Sequence, residues 1–367
     1  MKLLSEFRCR QLKLRNRVVM APMTRECAPQ GIPSEQMRAY YERRAAGGAG
    51  MIITEGAPPD LAGSFGSCVP RFFGAEALQG WRRIGAAVHA SGAAILAQLW
   101  HVGAFDPSLV GMRDSLDSAL IRISPSGLAA PGRPLGRSMT QSDIDASIAA
   151  FGRAAAAAHH IGFEGIEIHG AHGYLPDQFL WAGTNQRDDH YGGDLVGRTR
   201  FAADLVSECR RQGGEDLVVS FRLSQWKQLD YDARIAHTPA ELGSIVEALS
   251  AAGVDLFHCS SRRYWEPAFS DSDLSLAGWV RKLSGKPTIA VGSITLGNDF
   301  KSAGGKVAAV AAPEQIEDIE RRLDAGEFDL IALGRALLAN PDWVHLVQAG
   351  RARELRAFSK SHLEELS

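Results

Sequence analysis

Short apolar runs alternate with segments of helical period along nearly the whole chain, and that alternation constrains the fold more than any other feature. Strand-like runs occupy 17–21, 50–54, 94–99, 165–169, 217–222, 254–259, 287–291 and 328–333. Helical periodicity fills 34–46, 75–90, 141–160, 198–211, 239–252 and 312–323. Thr140 and Thr238 stand where two of these segments begin, as N-capping residues do. A strand followed by a helix, repeated eight times, predicts an α/β (β/α)8 TIM barrel with a capping segment after strand 3. A doubly wound sheet is the competing arrangement, and it lacks a nucleotide-binding glycine fingerprint here. Gly162, Gly165, Gly170 and Gly173 straddle a strand instead of leading from it into a helix.

The chain of 367 residues is long for one domain, yet α/β barrels reach this length, and nothing in its composition marks a boundary; 1–367 reads as a single domain. A net charge of −2 gives no electrostatic case for nucleic acid or anionic membrane as a partner. Cys9, Cys27, Cys68, Cys209 and Cys259 are scattered, odd in number and without a CxxC pair, which predicts reduced thiols and a cytoplasmic location. The first fourteen residues lack the apolar core of a signal peptide. No apolar run approaches the ~20 residues that span a bilayer.

Two connections exceed what a barrel needs. The segment 101–139, rich in Pro, Gly and Ser, follows the third strand and has the character of a lid; 293–311 follows the seventh and is Gly/Ala-rich. His159 and His160 end a helical segment, where imidazoles suit the negative helix terminus.

Chemistry concentrates at the end of the fourth strand, in Ile166-Glu167-Ile168-His169-Gly170-Ala171-His172-Gly173-Tyr174. The apolar run ends at His169, and two imidazoles and a phenol then leave it within six residues. Imidazole can donate to a substrate oxygen and phenol can release a proton. His-x-x-His can also be half of a metal site, but zinc takes three or four ligands and no Cys pair, HExxH helix or carboxylate cluster offers the rest. Loop histidines without a role are the remaining alternative.

The other strand ends form a consistent set. Gly292 and Gly334 end strands seven and eight, where backbone N–H groups can approach an anion, and Arg335 adds a fork of donors. Gln98 offers an amide to the edge of a flat heterocycle, and Arg222, closing a buried run, can hold negative charge there or serve a structural ion pair. Together these residues point to a phosphorylated planar cofactor in a barrel mouth, faced by His169, His172 and Tyr174.

The chain resembles the Old Yellow Enzyme family. The resemblance rests on Asn16-Arg17-Val18-Val19-Met20-Ala21-Pro22-Met23-Thr24-Arg25, Thr54-Glu55-Gly56-Ala57, Gln98-Leu99-Trp100-His101 and His169-Gly170-Ala171-His172-Gly173-Tyr174-Leu175. Asn185-Gln186-Arg187-Asp188-Asp189-His190-Tyr191-Gly192-Gly193 and Ala332-Leu333-Gly334-Arg335-Ala336-Leu337-Leu338-Ala339-Asn340-Pro341 extend it over most of the chain. It implies an FMN-dependent ene-reductase on a TIM barrel. Hydride passes from NADH or NADPH through the flavin to the β-carbon of an α,β-unsaturated carbonyl or nitro compound.

Carried onto this sequence, the resemblance implies that Ala21, Pro22, Met23, Thr24 and Gly56 lie along the flavin. Gln98 and Arg222 would contact its pyrimidine side, and Gly292, Ser293, Gly334 and Arg335 its phosphate. His169 and His172 would grip the substrate oxygen, Tyr174 would donate the proton, and Trp100 would line the substrate pocket. Arg262-Arg263-Tyr264-Trp265 in the sixth loop falls beside that pocket, where Tyr264 is a candidate substrate contact; the loop can shape the pocket, meet the nicotinamide cofactor's phosphates, or be an ordinary solvated loop. Small molecules would be the partners, without nucleic acid or membrane and with room for a homo-oligomer.

Departures accompany the match. Asp194-Leu195-Val196-Gly197-Arg198 keeps only the Arg of the family's usual stretch, and the insertion after Ser293 is longer. No Cys follows Cys259, so no iron–sulfur cluster is expected after the barrel, and no metal. Two other functions stay open: a Schiff-base lyase, for which Lys227 past the fifth strand is the one nearby lysine, and a flavin-binding sensor without turnover.

Overall fold

The computed structural model describes residues 1–106, 120–297, 313–364 and 366. Eight strands close into a parallel barrel in chain order: β1 (Val18–Met20), β2 (Met51–Ile53), β3 (Ala94–Leu99), β4 (Gly165–His172), β5 (Val218–Lys227), β6 (Leu256–Ser260), β7 (Thr288–Val291) and β8 (Leu330–Leu333). The runs are apolar on both faces because each strand has the barrel interior on one side and a helix layer on the other.

Period-two alternation sorts the interior into levels. Val19, Met51, Leu96, Val218, Leu256, Ile289 and Leu330 fill it with aliphatic carbon. The hairpin of Phe7–Cys9 with Leu12–Leu14 contributes Phe7, Leu12 and Leu14 to the same cluster, capping that end of the barrel. Two residues further along, the sequence turns polar: Gln98 on β3, Glu167 on β4, Ser220 on β5 and His258 on β6, all buried. Two further still come His169, Arg222 and Ser260, at the mouth.

The helical segments form as their caps predict. Gln141–His160 begins with a reciprocal capping box between Thr140 and Asp143, and Thr238 accepts from Glu241 N ahead of Pro239–Ala252. Asp194, where the sequence departs from the family pattern, is the N-cap of Leu195–Gly213 and accepts from Gly197 N. His159 and His160 end their helix exposed.

The structure corrects several boundaries. β4 continues past His169 to His172, and β5 continues past Arg222 to Lys227. A helix over Leu276–Ser284, capped by Ser275, fills the gap that periodicity left between β6 and β7. The 101–139 connection contains short pairings of Ile123–Ser124 with Arg137–Ser138 and of Leu128–Ala130 with Arg133–Pro134. Its stretch 107–119, and most of the insertion after Ser293, lie outside the described residues. No helix among the described residues is long and apolar enough to cross a membrane.

Candidate active site

A cavity of about 490 Å³ opens at the C-terminal mouth of the barrel. Ala21, Pro22, Met23, Thr24, Gln98, Trp100, His169, His172, Tyr174, Arg222, Gly292, Ser293, Gly334 and Arg335 line it, so nearly all the residues singled out in sequence converge there. Gly56, and Arg263, Tyr264 and Trp265 of the sixth loop, do not reach it, whereas Arg262 does. Gly56 sits behind the wall, where a Cβ would come within 2.7 Å of the Trp100 ring. Tyr264 is buried with its hydroxyl donating to Asp318 at 3.0 Å, against helix Pro313–Asp324. Its backbone N–H donates to Gly292 O at 3.0 Å, but Tyr264 is no part of the cavity wall.

The floor is a buried polar network. Gln98 Nε2 donates to Glu167 Oε1 at 2.8 Å, Ser220 Oγ donates to the other carboxylate oxygen at 3.3 Å, and His258 Nδ1 lies 2.8 Å from that same oxygen. Gln98 and Ser220 flank Glu167 in register on neighbouring strands, which is why a carboxylate can be satisfied inside the barrel. Burial would raise the Glu167 carboxyl, but the charges of His258 and Arg222 and the Gln98 hydrogen bond outweigh it and hold the group below the usual carboxylate range. With its nitrogen committed to Glu167, the Gln98 amide is fixed in orientation.

Arg222 is the register partner of His169 and of His258. Burial lowers its guanidinium while Glu167 opposes the shift. Its Nε and His169 Nδ1 are both buried without a hydrogen-bond partner among the described residues. Both residues line the cavity, and buried polar atoms that the protein leaves unpaired beside a cavity of this size suit a polar ligand.

The His169 ring packs edge to face against both His172 and Tyr174. His169 lies 5.1 Å from His172 and 4.9 Å from Tyr174, centroid to centroid. Burial, reinforced by the charge of Arg222, pushes both imidazoles well below their ordinary range, so both are neutral near pH 7. Burial raises the Tyr174 phenol, with a hydrogen bond from Gln228 opposing it, so the phenol keeps its proton. Trp100 and Phe105 clamp the tyrosine ring at 5.0 Å each, and Phe65 stacks on Trp100 at 5.3 Å. Among the described residues no three His, Cys, Asp or Glu side chains gather as a metal site would need.

Several lining residues escaped sequence reasoning. Trp226 comes from the extension of β5, Gln228 from the residue just past its end, Tyr231 from the loop beyond, and Ser260 from the end of β6. The His172 ring stacks on Trp226 at 4.4 Å and 28°, Trp226 tilts against Tyr231 at 5.6 Å, and Arg262 covers the Tyr231 face at 4.5 Å. The alternation Arg222, Ser224, Trp226 on one face of a continuing strand was the available signal. Lys227 is the last residue of β5, not a loop residue beyond it, and its Nζ pairs with Asp177 at 2.8 Å in full burial. The amine is therefore committed inside the protein and is not a cavity nucleophile.

Gly292 and Ser293, two of the residues expected at a phosphate, sit on strained or tightly approached backbone. Gly292 has φ +149, and a Cβ there would lie 2.5 Å from Ser261 O. Ser293 follows with φ +48 and donates its hydroxyl to Arg262 O. The backbone at Arg25 is held by Glu55, whose carboxylate accepts from Arg25 N at 3.0 Å. Burial raises that carboxyl to about 7 despite backbone hydrogen bonds from Arg25 and Glu26. Leu363, near the C-terminus, closes the rim, with Arg25 donating to the carbonyls of His362 and Leu363.

The family model described as NADH:flavin oxidoreductase / NADH oxidase matches residues 2–312. A 12-oxophytodienoate reductase 7 of Oryza sativa subsp. japonica is 32% identical over 356 residues, 93% of this chain and 86% of the rice protein. An NADH oxidase of Thermoanaerobacter brockii is 33% identical over 367 residues; the chain spans 52% of that longer protein. Among solved structures, the old yellow enzyme homologue from Zymomonas mobilis superposes with a TM-score of 0.80 at 26% identity, covering 99% of this chain and 96% of that one. Morphinone reductase in complex with tetrahydroNAD gives 0.78 at 25% identity, covering 99% and 94%.

Proposed function

Because the chain belongs to the NADH:flavin oxidoreductase / NADH oxidase family, the Old Yellow Enzyme family of FMN-dependent oxidoreductases, we propose that it is an ene-reductase acting on small α,β-unsaturated carbonyl or nitro compounds. Residues 1–367 would serve as one FMN-binding domain. The observation that carries this reading is the meeting of two neutral imidazoles and one phenol, with His169 5.1 Å from His172 and 4.9 Å from Tyr174, over a floor holding Arg222.

FMN, when bound, carries hydride from NADH or NADPH to the substrate β-carbon. Gln98 and Arg222 would meet the polar edge of its ring, Ala21 to Thr24 its flank, and Gly292, Ser293, Gly334 and Arg335 its phosphate. The buried, unpaired Arg222 Nε and the close backbone approach at Gly292 support that fit.

His169 and His172 would each donate an N–H to the oxygen of the activating carbonyl or nitro group. Neutral donors suit this role: they stabilise charge developing on that oxygen without having to lose a proton. Tyr174 would deliver its proton to the α-carbon. Trp100, packed edge-on against Tyr174, would wall the substrate pocket. Trp226 and Tyr231 extend the aromatic wall and favour flat substrates.

One experiment tests the proposal: the absorbance spectrum of purified protein, followed by anaerobic reduction with NADH or NADPH and addition of 2-cyclohexenone. The expected result is a flavin spectrum bleached by the nicotinamide and restored by the enone. A bleached flavin that the enone leaves reduced would contradict it.

A further inference from the structure

β5 does not stop at the barrel rim, and its extension holds the turn that carries Tyr174. Ser224 Oγ accepts from His172 N at 3.0 Å, Gln228 N donates to His172 O at 3.2 Å, and the Trp226 ring stacks on the His172 ring. Asp177, in the first turn of Leu175–Leu180, accepts from Gly173 N at 2.7 Å and from Lys227 Nζ at 2.8 Å. Lys227 Nζ also donates to Gln225 O at 3.0 Å. The turn needs such anchoring, since His172 and Gly173 take φ +65 and +88 in succession and the first bears a side chain. A buried ion pair is a costly way to gain stability but an effective way to fix geometry.

The residue after Lys227 makes the contact that matters to chemistry. Gln228 lines the cavity and donates its amide N–H to Tyr174 Oη at 3.3 Å. The rest of the Tyr174 ring is enclosed by Trp100, Phe105 and His169.

We propose that Gln228, set in place by the Lys227–Asp177 pair, is a positioning residue for the proton donor, and that its N–H stabilises the tyrosinate left after proton delivery. The inference rests on the proton-donor role proposed for Tyr174. In that step the Tyr174 O–H bond breaks and its electron pair stays on oxygen. The enolate supplies the pair for the new α-carbon C–H bond, and water returns a proton to the tyrosinate. A donor on the phenolic oxygen gains strength as negative charge forms there, so it acts on the step and not only on the resting geometry.

Three variants separate the donor from mere packing. Gln228→Glu keeps the size but turns the donor into a repelling acceptor, Gln228→Leu removes polarity, and Gln228→Lys restores an N–H of similar reach. The readout is the oxidative half-reaction with 2-cyclohexenone in flavin-replete enzyme, alongside flavin reduction by the nicotinamide. Gln228→Glu and Gln228→Leu should lower the limiting oxidative rate about tenfold to a hundredfold, the scale of a hydrogen bond to a charged group, with half-saturation and flavin reduction unchanged. Gln228→Lys should regain most of the rate, and Gln228→Glu should cost nothing further in a Tyr174→Phe background. A full rate in Gln228→Glu, or an equal loss in both backgrounds, overturns the inference alone. A full oxidative rate in Tyr174→Phe by itself removes the donor assignment and this inference with it.

Discussion

Ser260 Oγ lies 2.8 Å from Nε2 of His172 and 3.4 Å from Nη2 of Arg222, so one hydroxyl joins the cavity imidazole to the buried cation. Arg222 can only donate, which leaves the serine proton free to point at Nε2 and places the imidazole's own proton on Nδ1. Ser260→Ala removes that tautomer preference, along with one acceptor for Arg222. Enone reduction should fall roughly fivefold in kcat/KM, the worth of one neutral hydrogen bond, as measured by steady-state kinetics at full flavin loading. Unchanged kinetics would detach Ser260 from the function of His172.

Lys227 and Asp177 are buried to 1% and 0% side-chain exposure. Lys227→Met should destabilise the protein by about 3–5 kcal/mol at pH 7, because it strands a buried carboxylate. The double variant Lys227→Met with Asp177→Leu should lie closer to wild type in denaturant unfolding. Burial already pushes the Asp177 carboxyl up with Lys227 opposing it, so without the lysine that carboxyl neutralises more readily and the single variant's loss should shrink as pH falls. A double variant less stable than the single one would refute the ion-pair argument.

Glu55 gives a second pH dependence, with a definite sign. Its folded-state value of about 7 lies above the ordinary carboxyl value of 4.5, so its contribution to stability is present below the lower value and lost as pH rises through the higher. Unfolding experiments should find wild type losing up to about 3 kcal/mol relative to Glu55→Gln between pH 4.5 and 8. An offset between the two proteins that does not move with pH would show that Glu55 titrates normally.

The barrel was legible because strands buried on both faces must be apolar throughout, and eight such runs leave little choice of architecture. Most of the cavity was legible for a related reason: residues at strand ends have nowhere to point except the mouth. What escaped notice lies where a strand outruns its apolar signal. Ser224, Trp226, Lys227 and Gln228 read as loop because they are polar or bulky, yet β5 carries Trp226 and Lys227 and hands on directly to Gln228. Tyr264 was misplaced because its partner, Asp318, lies on a helix more than fifty residues later, a contact invisible to local pattern. Glu167 sits two residues before His169, and the period-two rule that turns His169 inward also turns Glu167 onto Gln98 and His258.

Arg335, opening the short helix Arg335–Ala339 after Gly334, lines the cavity at the proposed phosphate end. Arg335→Ala should lose FMN on desalting, visible as a falling ratio of flavin to protein absorbance, because a charge-assisted part of the anion site is gone. Full flavin retention at unchanged affinity would move the phosphate elsewhere.

Tyr174 Oη is the atom on which the proposed chemistry turns, and rapid mixing of Tyr174→Phe with each partner in separate anaerobic half-reactions isolates it. Flavin reduction by the nicotinamide should proceed at nearly the wild-type rate, since no proton on carbon is required there. Reoxidation by 2-cyclohexenone should slow by roughly 10²–10⁴-fold, the usual contribution of a positioned general acid. A variant reduced slowly but reoxidised by the enone at the wild-type rate would contradict the assignment of Tyr174 as the donor to carbon.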